Sequence, residues 1–207
     1  MKATNLIWAT AMVLSVAMFS SCSKKEPSPD PLTYDKGVVI NGIKWATRNV
    51  DAPGTFVAKP EDPGMLYQWN RKQGWPATGE VPDWDNTDAE GDVWEKTNDP
   101  CPAGWHVPTH EEQINLARTG SEWTDTPVEG RIFGNGGNTI FLPATGGRTL
   151  LGGPLYLTSS GYYWSATPDM DMGALYPLGA RLYFSSTDVK FSSINRGYGF
   201  SVRCVAE

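Results

Sequence analysis

The fold is decided by residues 101–120, which read CPAGWHVPTHEEQINLARTG. Thr109, followed three positions later by Glu112, is the signature of a capping box, in which the two residues satisfy each other's free backbone N–H groups at the start of a helix. Apolar residues follow at helical spacing, and Gly120 is typical of a helix end. The stretch therefore predicts a helix over about residues 109–119.

A hairpin is predicted on the N-terminal side of this helix. Asn41-Gly42 lies between the apolar runs 38–40 and 43–50. An Asn-Gly pair between apolar runs is the strongest short-range signal for a two-residue β-turn. We therefore expect the folded part to open with two antiparallel strands.

Strands are also predicted on the C-terminal side. Residues 162–167 are rich in strand-forming side chains, and residues 180–185 alternate between apolar and polar. Residues 198–204 alternate in the same way, which predicts that Cys204 points inward and that the intervening residues lie on the other face. With no second linker in sight, residues 37–207 are expected to form one loop-rich α+β domain.

Composition narrows the class of protein. The chain has 207 residues, enough to bury a core, and its 22 glycines and 16 prolines predict a compact fold with many turns. The formal net charge is −6, so the chain repels a phosphate backbone. Nucleic acid is therefore not an expected partner.

The N-terminus has the pattern of a lipoprotein signal. Lys2 precedes an apolar run over residues 6–19, which is shorter than the roughly 20 residues of a membrane-spanning helix. Two serines then precede Cys22, as in the bacterial lipobox that signal peptidase II cuts. We expect residues 1–21 to be a signal peptide and Cys22 to carry a lipid such as palmitate, with ordinary cleavage and a free thiol as the alternative. Residues 22–36, rich in proline and poor in apolar side chains, are expected to be a flexible tether.

Cysteine usage agrees with export. The chain has three cysteines. If Cys22 carries a lipid, Cys101 and Cys204 remain as an even pair in a compartment where disulfides persist. We expect these two to be bonded, and two free buried thiols are the alternative.

Four stretches of the chain resemble one known family. They are NGIKWATRNV at residues 41–50, CPAGWHVPT at 101–109, YWSAT at 163–167 and GFSVRCV at 199–205. The same phrases occur in this order in the Fibrobacter succinogenes major paralogous domain, and the resemblance spans about residues 37–206. That family is common in lipoproteins and other exported proteins of the Bacteroidetes and related bacteria.

The resemblance implies a fold and brings no established activity. The family is similar in fold to the C-type-lectin-like and formylglycine-generating-enzyme-like domains, so it implies a mixed fold with paired termini. Fold similarity does not carry function, which has to be argued at a site.

The chemistry of those relatives finds little support in these residues. Enzymes of the formylglycine-generating type use a reactive cysteine pair or an iron held by three histidines, whereas this chain has only His106 and His110, with Pro108 between them. His106 is expected to be a hydrogen-bonded structural residue. The triplets with which C-type lectins hold calcium are absent from their expected places, and no nucleophile with a neighbouring base is identifiable. We therefore expect no catalytic residue and no enzyme.

Residues 74–99, here called the acidic segment, carry the candidate binding residues. The segment holds eight acidic residues and one lysine. Oxygen-rich loops bind calcium, and exposed tryptophans offer flat apolar faces to sugar rings. The candidate ligand-binding residues are Trp75, Asp83, Trp84, Asp85, Asp88, Asp92 and Trp94.

A calcium ion is a possible cofactor of the acidic segment. Asp83, Asp85 and Asp88 approximate the start of a calcium loop, but the glycine at the sixth position and the glutamate at the twelfth are missing. The alternative is a solvated acidic excursion whose tryptophans pack back onto the domain.

These features favour a non-catalytic lipoprotein of the outer membrane, on the cell surface or the periplasmic face. Its lectin-like domain is expected to bind a glycan or a protein partner. A structural or assembly subunit of a surface complex or appendage is the alternative. An enzyme of the formylglycine-generating type is a third hypothesis, and it predicts a metal or a redox-active thiol.

Overall fold

The computed structural model describes residues 30–87, 89–155, 159–169 and 176–207. The predicted signal peptide, Cys22 and Asp88 lie outside these residues. The described part contains short β-strands, one α-helix, α1 (His110–Ala117), and one 3-10 turn (Lys96–Asn98). The strands, in chain order, are β1 (Val38–Ile40), β2 (Ile43–Trp45), β3 (Met65–Tyr67), β4 (Gly74–Pro76), β5 (Trp105–His106), β6 (Ser121–Thr124), β7 (Gly130–Asn135), β8 (Asn138–Pro143), β9 (Gly147–Arg148), β10 (Pro154–Leu155), β11 (Ser160–Asp169), β12 (Leu178–Ser185), β13 (Val189–Asn195) and β14 (Val205–Ala206).

The predicted N-terminal hairpin is confirmed. Strands β1 and β2 are antiparallel, and Ile40 faces Ile43 across the turn. Asn41 and Gly42 both have positive φ, 49° and 83°, which is the backbone that a two-residue turn with the twist of a hairpin requires. The second strand is shorter than expected and ends at Trp45, because the chain beyond it pairs with the C-terminal segment instead.

The two ends of the domain meet in one sheet. Its strand order is β1-β2-β14-β5, and all pairs are antiparallel. Val205 in β14 pairs with Trp45 on one side and with His106 on the other. The N-terminal hairpin is therefore held by the last strand of the chain.

The predicted helix is confirmed with its cap. The hydroxyl of Thr109 accepts a hydrogen bond from the backbone N–H of Glu112, and the Glu112 carboxylate accepts one from the N–H of Thr109 at 2.7 Å. The buried face of α1 carries Leu116 and Gln113, and the Gln113 amide donates to the carbonyls of two β11 residues. The helix therefore lies against the sheet of β11, β12 and β13.

The remaining strands also pair antiparallel. Strands β6-β7-β8 and β11-β12-β13 form two three-stranded sheets, and β3-β4 and β9-β10 form hairpins. The predicted strands at 162–167 and 180–185 lie within β11 and β12. The α+β expectation is thus confirmed in its coarser form of antiparallel strands, one helix and a disulfide, in a fold richer in strand than predicted.

Residues 199–204 form the centre of the molecule and are not a half-exposed strand. Phe200 pairs with Tyr67, Ser201 bonds to the backbone of Tyr162 and Trp164, and the carbonyl of Val202 accepts from Val50 N–H. Because separate elements cover the segment on both sides, every residue in it is buried. The prediction that Cys204 points inward is confirmed, and the residues placed on the opposite face are buried as well, with Arg203 only 1% exposed.

The predicted disulfide between Cys101 and Cys204 is confirmed. Its Cα atoms lie 6.1 Å apart. The bond joins the loop before β5 to the central segment, next to the sheet in which the two ends of the domain meet.

The core has two parts. One lies under α1, between the hairpin and the strands around Phe133 and Phe184, and the other surrounds Trp164 and Phe200.

In the part of the chain with described coordinates, no helix is both long and apolar enough to span a bilayer.

The chain contacts the domain within the segment predicted to be a tether, where the carbonyl of Pro31 accepts from the Nη1 of Arg48 at 2.8 Å. Asp35 is 4% exposed. Its carboxylate accepts from the backbone and hydroxyl of Thr47 and lies 3.2 Å from the Nε of Arg48. The backbone N–H of Phe56 also donates to the carbonyl of Leu32 at 2.6 Å.

Candidate functional site

The first half of the acidic segment is held in place by a buried arginine. Arg148, in β9, is 1% exposed. Its guanidinium donates to the carbonyls of Pro76 at 2.7 Å, Thr78 at 3.1 Å and Gly79 at 3.0 Å, and to Gly152 on its own hairpin at 2.5 Å. A loop without regular hydrogen bonds is thereby fixed through its backbone oxygens.

A second arginine holds the middle of the segment. Arg196 is 3% exposed and donates to the carbonyls of Ala89 at 3.2 Å and Gly91 at 2.6 Å. Its guanidinium also lies 3.9 Å from the ring centroid of Trp69, within cation–π distance. Both arginines therefore anchor the acidic segment through its backbone carbonyls.

Two of the candidate tryptophans pack against each other. The rings of Trp75 and Trp84 lie 5.2 Å apart, and both side chains are half-buried. Trp84 also lies directly over Gly152 and Gly199, where a Cβ atom would come within 2.8 Å and 2.6 Å of it. Both indole N–H groups are buried, and neither has a hydrogen-bond partner among the described residues. These two rings therefore cover the domain surface.

Trp94 is positioned differently. Its indole N–H donates to the carbonyl of Asn98 at 3.1 Å, and its ring meets Trp69 edge-on at 5.5 Å. The side chain is half-buried, and it lines a cleft. Its orientation is thus fixed, and part of its ring remains accessible.

The candidate aspartates do not converge in the described part. Asp85 pairs with Arg71, and its carboxylate accepts from the hydroxyl and N–H of Thr87. The hydrogen bonds from Thr87 hold the pKa of Asp85 below its usual range, and Arg71 contributes to the shift. Asp83 and Asp92 are exposed. Among the described residues, which exclude Asp88, no group of three acids, histidines or cysteines could hold a metal ion.

The cleft beside Trp94, here called the Trp94 cleft, has a volume of about 500 Å³. It combines an aromatic wall with side chains of both charges. Those that line it are Lys72, Trp94, Lys96, Asp99, Trp105, His106 and Glu207.

A second cleft, here called the amide cleft, adjoins the first at Lys72. Its volume is about 580 Å³ and its lining is predominantly polar. The polar side chains along it are Asn70, Arg71, Lys72, Gln73, Thr87, Glu90 and Asn98. The two clefts together form a concave surface between the loop after β3 and the end of the acidic segment.

The two sides of this surface are joined by the side chain of Asn70, which accepts hydrogen bonds from the end of the acidic segment. Asn70 has a φ of 55°, a left-handed conformation that asparagine tolerates better than most residues. Its side-chain oxygen accepts from Glu95 N–H at 2.8 Å and from the amide of Asn98 at 3.3 Å. The loop after β3 is thereby joined to the 3-10 turn that carries Lys96.

The ionisable groups at the base of the Trp94 cleft influence one another. Burial raises the pKa of Asp99, whose carboxylate accepts from the N–H groups of Cys101 and Val107. The Glu112 carboxylate, 3.7 Å from the Nε2 of His106, raises the pKa of that histidine. Glu207 accepts from Lys96 at 2.7 Å on the exposed rim. His106 is thus held by a structural contact at the edge of the cleft.

Sequence reasoning included Trp94 and missed the other residues of the two clefts. Lys72 and Asn70 follow β3 and carry no motif. In the sequence, Asp99 stands out only as one of the eight acidic residues of the acidic segment. Its position two residues before Cys101, in a loop that the disulfide fixes, is the signal that could have placed it in a built site.

No family model, no curated protein and no solved structure matches this chain.

Proposed function

We propose that the protein is a non-catalytic, lipid-anchored binding protein of the outer membrane, whose C-type-lectin-like domain binds a glycan. The Trp94 cleft and the adjoining amide cleft form the binding surface. The observation that carries the proposal is the meeting of a fixed indole with a row of amide and charged side chains along one concave surface.

This combination fits the chemistry of a sugar ring. The C–H face of a pyranose packs on an indole ring, and its hydroxyls both donate and accept hydrogen bonds. Gln73 and Asn98 offer groups of both kinds, and Lys72 at the junction offers a donor. Trp94 is the residue proposed to stack on the sugar.

The proposed binding does not require calcium. Asp85, the central member of the predicted calcium triad, is paired with Arg71 and hydrogen-bonded by Thr87. A calcium ion would have to displace both partners to gain that carboxylate.

Anchoring is proposed through Cys22. The disulfide uses two of the three cysteines in the chain, which leaves Cys22 as the remaining thiol, directly after the lipobox-like residues. A Cys22→Ala variant is expected to lose incorporation of labelled palmitate and to leave the membrane fraction. Continued incorporation in this variant would contradict the proposed lipid site.

A glycan array probed with the purified full chain tests the binding function. It is run once with calcium and once with a chelator, and the same glycans are expected to be bound in both runs. Loss of binding in the chelator would contradict the calcium-independent site.

The site is tested by Trp94→Leu, which removes the flat ring and keeps an apolar side chain. Affinity is expected to fall about two- to tenfold. The matched control is Trp123→Leu, because Trp123 is also half-buried and its indole N–H is also hydrogen-bonded, to Asp125 at 2.7 Å, on β6. An equal loss of affinity in both variants would contradict the assignment of glycan binding to the Trp94 cleft. An empty array together with a stoichiometric protein partner in detergent extracts would favour an assembly subunit instead.

A further inference from the structure

The arginines buried in this domain share one arrangement, and Arg181 departs from it. The guanidinium groups of Arg131, Arg148, Arg196 and Arg203 each donate several hydrogen bonds to backbone or side-chain oxygens. The only hydrogen bond of Arg181 within the described residues runs from its Nε to the hydroxyl of Ser192 at 3.2 Å. Its Nη1 is buried and has no hydrogen-bond partner there.

The surroundings of Arg181 are aromatic rather than acidic. The guanidinium lies 4.9 Å from the ring centroid of Tyr162 and 5.0 Å from that of Phe200. In the described part of the chain Arg181 takes part in no ion pair. Among the described residues, this half-buried cation in contact with rings thus keeps unused donors and has no neutralising carboxylate.

Arg181 lines a cleft of about 560 Å³ on the sheet of β11, β12 and β13. Tyr162, Tyr183 and Lys190 face one another across the three strands and line it. Lys190 supplies a second cation at the exposed mouth, where its Nζ lies 3.3 Å from Asp188. The described residues therefore give the cleft a positive base and aromatic walls, with Asp188 close to its edge.

We propose that this cleft, here called the Arg181 cleft, binds an oxyanion: the carboxylate or sulfate group of an acidic ligand. Two oxygens of one anion can accept from a planar guanidinium at the same time, which gives this cation the anionic partner that no described residue supplies. The rings of Tyr162 and Phe200 hold the guanidinium plane and keep the site partly dry, which strengthens the interaction. The inference does not depend on the Trp94 cleft, which lies on other elements.

The test uses the full chain, uniformly labelled with 15N, and follows the amide signals of Leu182 and Ser192 beside Arg181. Two anions are titrated, sodium glucuronate and sodium sulfate, against glucose and against sodium chloride at equal ionic strength. Saturable shifts with either anion, and none with glucose or chloride, are expected. The anion that produces saturable shifts shows whether the cleft binds the carboxylate of a sugar acid or a sulfate group.

The variants assign the site. Arg181→Gln is expected to weaken anion binding about tenfold or more, since it removes the charge-assisted hydrogen bonds. Arg118→Gln is the matched control, because Arg118 is an exposed arginine near the end of α1, paired with Glu111, and its loss changes the net charge equally. Lys190→Gln, on the exposed mouth, is expected to weaken binding about two- to fivefold and provides a second reading if Arg181→Gln does not fold. The proposal is overturned if glucose shifts the same signals as glucuronate, if neither anion gives saturable shifts, or if Arg181→Gln or Lys190→Gln binds as tightly as the Arg118→Gln control.

Discussion

Removing the disulfide is expected to cost a large part of the stability of the domain. The double variant Cys101→Ala, Cys204→Ala opens a covalent loop between residues 103 positions apart. In the chain-entropy model, a loop of that length restricts the unfolded state by about 4 to 5 kcal/mol. A small cavity at Cys204, which is fully buried, adds to this cost. Small domains have only about 5 to 15 kcal/mol in total, so the loss is large.

Urea unfolding followed by tryptophan fluorescence measures this loss. The midpoint is expected to fall, and the slope m is expected to rise, because an unfolded chain without the crosslink exposes more surface. The wild-type chain unfolded in a reductant should behave like the double variant. Cys22→Ala, which removes the cysteine outside the disulfide, should leave both quantities unchanged. A loss below about 1 kcal/mol with unchanged m would show that the paired strands alone hold the ends together.

Two further predictions concern the histidine and the hairpin turn. The Glu112 carboxylate raises the pKa of His106 above its ordinary value. The stabilisation from this pair is therefore fully present below about pH 6.5 and is lost as the pH rises through the folded-state pKa. The thermal midpoint should fall over that range in wild type and in His110→Gln, but less in His106→Gln, and an equal fall in all three would contradict the stabilising role of the pair. Gly42→Ala is expected to lower the free energy of unfolding in urea by about 1 kcal/mol, because alanine is strained at a φ of +83°. The space around Gly42 is open, so no steric clash adds to this cost. Gly153→Ala should be nearly neutral, because its φ lies outside the left-handed region and a Cβ would meet only the Thr149 hydroxyl at an ordinary 3.5 Å; equal effects of the two substitutions would contradict the backbone argument.

The parts of the fold that the sequence predicted are those that local chemistry decides. The Asn41-Gly42 turn and the Thr109–Glu112 capping box each depend on a few adjacent residues whose conformational preferences are strong. The disulfide followed from cysteine arithmetic and compartment. In each case the information needed lies within a few positions or in a count.

The centre of the molecule could not be predicted in the same way. Residues 199–204 alternate between apolar and polar side chains, which predicts one wet face, yet β3, β9, β11 and the chain after β2 cover the segment on both sides. The alternation shows which side chains share a face, but it gives no information about which elements cover the polar face. The polar residues are buried here because they have specific partners: Arg203, for example, donates to the side chain of Asn49 at 2.7 Å.

The candidate site escaped sequence reasoning for the same reason, and the buried arginines explain how it is built. A long irregular loop has many backbone carbonyls and few partners for them, and a guanidinium offers five donors in one rigid plane. Arg148, in β9, and Arg196, directly after β13, supply those donors to the acidic segment from positions far away in the chain. The segment can then keep Trp94 in a fixed place without forming a helix or a sheet, which is what a preorganised binding surface needs. Arg181 is only half-buried, and among the described residues its guanidinium donates to no carbonyl, so the acceptor that Arg148 and Arg196 find within the fold is, at this position, expected from a ligand.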